Sequence, residues 1–163
     1  MFRTALLVLL LVVTFSPLAA QGKAGGGGMF VPVTAFDPAR NAAADIDVAV
    51  AEAKRTGRRV LIDVGGEWCI WCKRLDQFFR DNNDVADFLH RKYVTVKVNY
   101  SKENKNEAVL ARYPKVAGYP HLFVLDETGA LLHSQESGRL ERGKGHDRKK
   151  VLAFLKAWAS RGR

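Results

Sequence analysis

The feature that most restricts what this chain can fold into is one succession of residues. Val60-Leu61-Ile62-Asp63-Val64 leads to Trp68-Cys69-Ile70-Trp71-Cys72-Lys73, and then to Leu75, Phe78 and Phe79. The first run is apolar except for Asp63, the pattern of a buried strand. Leu75, Phe78 and Phe79 repeat at helical spacing and predict the inner stripe of a helix. The only two cysteines of the chain stand at the junction, three residues apart. Thiols so placed at the start of a helix can close a disulfide and open it again, which makes redox exchange the leading expectation.

The rest of the chain reads outward from that junction. Asp37-Pro38 is expected to begin a helix, with Asp as cap and Pro in the first turn. Ile46, Ala49, Val50 and Ala53 supply its inner face, and Gly57 ends it. The cysteine helix runs to about Asp81, and Asp84 opens a short helix carrying Val85, Phe88 and Leu89. Val94, Val96 and Val98 alternate with polar residues, predicting a strand with one face inward. Asn106 to Tyr113 is a modest helix ending before Pro114. Leu122 to Leu125 forms a third strand, and Asp126 to Gly129 turns into a fourth, Ala130 to His133. A last helix from about Asp147 to Ala159 faces inward through Val151, Leu152, Leu155 and Trp158. Helices between the early strands impose crossovers, and the tight last turn imposes a hairpin. The expectation is α/β: a central mixed sheet of about four strands with helices on both faces. At 163 residues and 47% hydrophobic content, the chain can fill one core and is too short for two ordinary domains.

Residues 1–20 are set apart. Arg3, the apolar run Ala5 to Val13 and the small residues ending at Ala20 predict a secretory signal peptide, the run being short for a membrane span, with an uncleaved amino-terminal anchor as the alternative. Residues 21–35, with four consecutive glycines, are expected to be a flexible linker, leaving 36–163 as the folded domain. Export allows a cysteine pair to persist oxidised, and for a bacterial signal the destination is the periplasm. The formal charge is +9, with a basic carboxy-terminal region that includes Arg139, Arg142, Lys144 and Arg148 to Lys150. In a cytosolic protein that would suggest nucleic acid. An exported chain meets none, so a solvated face weakly drawn to anionic membrane is expected instead.

At the amino end of its helix, Cys69 meets unpaired N–H groups and the positive end of the dipole, which favour a thiolate. It is the expected nucleophile, forming a mixed disulfide with a partner. Cys72, one turn inward on the apolar stripe, is the expected resolving thiol. Asp63, ending a buried strand, is the expected general base for its proton, against the alternative of a strand-end residue in solvent. Tyr119-Pro120 opens the third strand, where proline is tolerated and an ordinary trans turn is the default. Trp71 reads equally as an exposed partner contact or as packed against a loop, and Trp68 as supporting wall. A zinc site would need a second motif beside the cysteines. His90, His121, His133 and His146 form no close pair at ligand spacing.

Taken jointly, Asp63, Glu67-Trp68-Cys69, Cys72-Lys73, Gly118-Tyr119-Pro120 and Gly138 resemble the thioredoxin family over about Val60 to Leu140. The likeness is greatest to the periplasmic branch represented by the carboxy-terminal domain of the transmembrane thiol:disulfide interchange reductase. The resemblance implies the thioredoxin fold, Cys69 attacking, Cys72 resolving, Asp63 as buried proton acceptor and a cis Pro120. It implies a thiol–disulfide oxidoreductase acting on protein thiols and disulfides as a monomer. Partners would be met at Trp68, Trp71, Tyr119 and Pro120. No cofactor is implied beyond the redox-active cysteines, and a reductant outside the cytosol would draw electrons from a membrane partner. Oxidase, isomerase and non-catalytic binding-module readings are the alternatives. Two departures stand out. Ile70-Trp71 lies between the cysteines in place of Gly-Pro or Pro-His, and His121 follows the proline where threonine is usual.

Overall fold

The computed structural model describes residues 30–161, so the signal-peptide expectation and most of the linker lie outside the described residues. Helix α1 (Ala42–Thr56) starts where the Asn41 side chain accepts a hydrogen bond from the Ala44 N–H at 3.1 Å. It stops at Gly57, whose φ of 69° is a left-handed conformation that glycine adopts without steric cost. The expected start at Asp37-Pro38 is therefore displaced. Asp37 uses its carboxylate on the Ala39 N–H, closing a local turn instead of opening the helix.

Strand β1 (Arg59–Gly65) is followed by α2 (Ile70–Asp81), α3 (Asn83–Lys92), β2 (Tyr93–Asn99) and the short α4 (Glu107–Leu110). Strands β3 (His121–Leu125) and β4 (Leu131–Glu136) form the hairpin. The sheet order is β2-β1-β3-β4, with β1 parallel to β2 and antiparallel to β3. This is the mixed four-stranded sheet expected, with the cysteine strand at its centre. A single 3₁₀ turn (Ser137–Leu140) and a small hairpin of β5 (Glu141–Arg142) and β6 (Gly145–His146) precede α5 (Arg148–Trp158). That hairpin had no apolar periodicity to announce it.

Both faces of the sheet are covered. Ile62, Val64, Val96 and Phe123 pack with Ala49 and Ala53 of α1. Leu61 and Val124 pack on the other side with Leu75 of α2, Val85 of α3, and Val151 and Leu155 of α5. Tyr93 donates its hydroxyl to the Leu155 carbonyl at 2.7 Å across this second layer. On α5, Phe154 is buried, whereas Leu152 and Trp158 are only half-buried. Trp158 instead stacks on the His133 ring at 4.3 Å. The single-faced reading of β2 is also corrected, since Thr95 and Lys97 are half-buried on the side covered by helices.

The folded body begins before residue 36. Val33 pairs in parallel with Val96 on the free edge of β2, and its carbonyl accepts from the Lys97 N–H at 3.2 Å. Residues 30–36 thus run along an edge that would otherwise present unpaired backbone groups. They deliver Phe36, 4% exposed, to the carboxyl end of β1.

Candidate active site

Strand β1 ends at Gly65, and a short loop lifts the chain so that Cys69 becomes the cap of α2. The Cys69 N–H donates to the Gly66 carbonyl at 2.9 Å, and its backbone is still extended. Its sulfur accepts from the Cys72 N–H at 3.1 Å, serving one of the helix donors that has no carbonyl partner. The two cysteines are joined as a disulfide with their Cα atoms 5.2 Å apart. Cys69 is 4% and Cys72 1% exposed, so the outer sulfur also lies under neighbouring side chains. Those neighbours are Phe36, Trp71 and Tyr119. Gly65 is required here by close approach, because a Cβ at that position would stand 2.5 Å from the Cys72 sulfur.

Asp63 lies two residues before Gly65, on the same face of the strand beneath α2. It is buried, at 9% exposure, rather than in solvent at a strand end. The ladder places Lys97 beside it on β2. The Lys97 ammonium donates to Asp63 at 3.3 Å and to Asp76 of α2 at 2.6 Å, bridging two carboxylates. The other Asp63 oxygen, Oδ1, is buried and has no hydrogen-bond partner. Burial raises the Asp63 pKa from the ordinary 3.8 to about 6, with Lys97 opposing the rise and Asp76 adding to it. The ammonium also sits 4.1 Å from the centre of the Phe36 ring. Phe36 thus touches both the sulfur pair and the charged bridge.

Around the sulfurs, Trp68 is 59% and Ile70 57% exposed. Trp68, expected as supporting wall, stands at the surface with its indole N–H donating to the Tyr100 carbonyl at 2.7 Å. It meets Tyr119 edge-on at 5.6 Å, and Tyr119 stacks on Tyr100 at 4.8 Å. Trp71 takes the packed alternative, with the Arg74 guanidinium 4.4 Å from its ring centre and His146 edge-on at 6.0 Å. The small hairpin β5–β6, packed against α2, supplies that histidine. Both ring nitrogens of His146 are buried without a partner, and burial, then Arg74, lowers its pKa. The Tyr119–Pro120 peptide is cis. His121 is buried, its Nε2 2.8 Å from the Ser134 hydroxyl, and burial lowers its pKa.

Cys69, Cys72, Trp71 and Tyr119 are thus in contact, with Trp68 joined through Tyr119 and Asp63 beneath the same end of the sheet. Sequence reasoning missed Lys97, Asp76, Tyr100 and Phe36. Lys97 was legible only as an outward polar residue of an alternating strand, and Phe36 only as a boundary. A lysine in register with a buried aspartate is a signal once the pairing of β1 and β2 is assumed. Among the described residues no group of three or more His, Cys, Asp or Glu side chains could hold a metal ion. No helix among them is long and apolar enough to cross a membrane.

A thioredoxin-like family model matches residues 41–127, more than half of the chain. The thiol:disulfide interchange protein DsbD of Klebsiella pneumoniae is 28% identical over 86 residues, which are 53% of this chain and 14% of that protein. The Citrobacter koseri DsbD is 27% identical over 100 residues, 61% of this chain and 16% of that one. The chain therefore spans only a small part of the length of these relatives. Among solved structures, the disulphide isomerase from Xylella fastidiosa superposes with a TM-score of 0.66 at 21% identity. The match covers 78% of this chain and 98% of that one, a likeness of fold.

Proposed function

Since this chain belongs to the thioredoxin-like family, we propose that it is an exported thiol–disulfide oxidoreductase that reduces disulfides of protein partners. The observation that carries this reading is the Cys69–Cys72 pair at the head of α2, set above a buried carboxylate with an unpartnered oxygen. The interchange function in the names of the DsbD relatives supports it.

The reaction starts from the dithiol. The Cys69 thiolate attacks one sulfur of the partner's disulfide, the S–S bond breaks, and the first partner thiolate leaves and takes a proton. Cys72 then gives its proton to Asp63 and attacks the Cys69 sulfur, releasing the second partner thiolate. The partner has gained two electrons, and the protein holds the disulfide seen here. An oxygen of Asp63 without a hydrogen bond, on a group whose pKa lies near 6, suits a proton acceptor. Lys97 stabilises the anion before transfer, and Asp76 limits that effect. Resetting requires a dithiol donor, for which a membrane protein is the source outside the cytosol. Trp68 and Tyr119 form the contact surface for the partner, with the Pro120 edge beside them and Trp71 beneath. The periplasm is the proposed location.

Insulin reduction by wild type, Cys69→Ala and Cys72→Ala tests the assignment. Both variants lose turnover, and only Cys72→Ala accumulates a mixed disulfide, through Cys69. Trapping through Cys72 in the other variant would reverse the roles. Equilibration with glutathione tests direction, and a potential near about −120 mV, as in strong oxidants, would overturn the reductant reading.

A further inference from the structure

The end of the sheet opposite the cysteines carries a second feature, unrelated to thiol chemistry. A cavity of about 550 Å³ is lined by seven cationic side chains and a single carboxylate, Glu127. Arg59 is held there by Glu127 and Arg58 by Glu52. Lys54, Arg91, Lys92 and Arg161 have no carboxylate within ion-pair distance among the described residues. Helix dipoles explain some of this singly, since Lys54 and Arg55 end α1 and Arg91 and Lys92 end α3. Arg58 donates to the His90 and Tyr93 carbonyls at the end of α3, but helix ends do not explain Arg59 and Arg161, which lie outside the helices. They also do not explain the convergence of these groups on one concavity.

Two further observations say what this pole faces. Strand β1 runs from Arg59 in the cavity to Gly65 against the Cys72 sulfur, so cavity and thiols lie about 20 Å apart at opposite ends of one strand. The described chain also begins at the basic pole. Phe30 and Pro32 line an adjoining hollow with Arg58, His90 and Tyr93. Residues 30–36 then run along β2 toward the cysteines. The described chain therefore enters the domain on this side.

We propose that the basic pole is a docking surface for anionic phospholipid headgroups, holding the domain on a bilayer with its cysteines facing away from it. The four lining cations left without a carboxylate partner among the described residues suit the phosphodiester charge of such headgroups. Full-length protein is sedimented with vesicles of equal phosphatidylglycerol and phosphatidylcholine, and with phosphatidylcholine alone. Any contact through the apolar amino-terminal run is common to both vesicles, so the readout is the extra, salt-sensitive binding to the anionic ones. The variant Lys54→Glu/Arg91→Glu/Lys92→Glu is expected to lose that excess by about 100-fold or more. A variant of equal charge change outside the cavity, Lys115→Glu/Lys144→Glu/Lys149→Glu, keeps most of it. Matching thermal melts and insulin reduction show both variants folded. Equal loss in the two variants would assign the effect to net charge and overturn the proposal. So would equal binding of wild type to both vesicles, the result expected if an acidic protein were the true partner.

Discussion

At the residue scale, the decisive group is Asp63. The unfolded chain ionises this carboxyl near 3.8 and the folded protein near 6. Stability from this group is therefore full below the lower value and falls as pH rises through the window between them. At neutral pH the folded state carries the whole penalty, about 3 kcal/mol at most. Asp63→Asn is expected to raise the denaturant midpoint of the oxidised protein at about pH 8, and to lose that advantage near about pH 4. It also slows partner release from the mixed disulfide. A constant stability difference across that range, in urea titrations at stepped pH, would show that the carboxyl does not titrate as placed. Lys97→Met removes the opposing ammonium and is expected to move the Asp63 titration above its present value, read by carboxyl-carbon NMR. Asp63 and both cysteines were legible in the chain because each breaks or punctuates an apolar pattern. Lys97 and Asp76 were not, because what makes them matter is adjacency across strands and from helix to strand.

Among the elements, α2 and β1 have to approach closely for the cysteines to meet the aspartate, and Gly65 permits it. Gly65→Ala forces the new methyl against the Cys72 sulfur or the Phe36 ring. Overpacking of that kind costs about 1–3 kcal/mol, and the loss is expected to be larger in oxidised than in reduced protein, by paired thermal melts. Helix α1 depends on its cap. Asn41→Ala deletes the bond to the Ala44 N–H and is expected to cost about 1 kcal/mol, measured by chemical denaturation. The sequence located the five α-helices among the described residues, but it carried α4 past Leu110 and misplaced the start of α1, because Asp37 and Asn41 carry the same capping chemistry four residues apart. Proline steered the reading to the wrong one. The hairpin β5–β6, only two residues per strand, is too short for any period to register.

For the whole molecule, the strap formed by residues 30–36 links the two poles. It closes the β2 edge, covers the sulfur pair with Phe36 and joins the domain beside the basic cavity. Phe36→Ala is expected to cost about 3–5 kcal/mol of stability and, in reduced protein, to speed alkylation of Cys72. Unchanged alkylation would mean that other side chains shield the sulfur. The sequence alone determined the order of the four strands of the main sheet and the helices around them, the mixed character of that sheet and the position of the cysteine pair. Those depend on local periodicity and on residue types whose chemistry needs no partner to be recognised. Tertiary structure decided what surrounds that pair: the ammonium between two carboxylates, the exposed Trp68 and packed Trp71, and the strap. Only folding brings Phe36, Asp63, Cys72 and Lys97 together across more than 60 positions of chain, and burial there sets the charge state on which the chemistry turns.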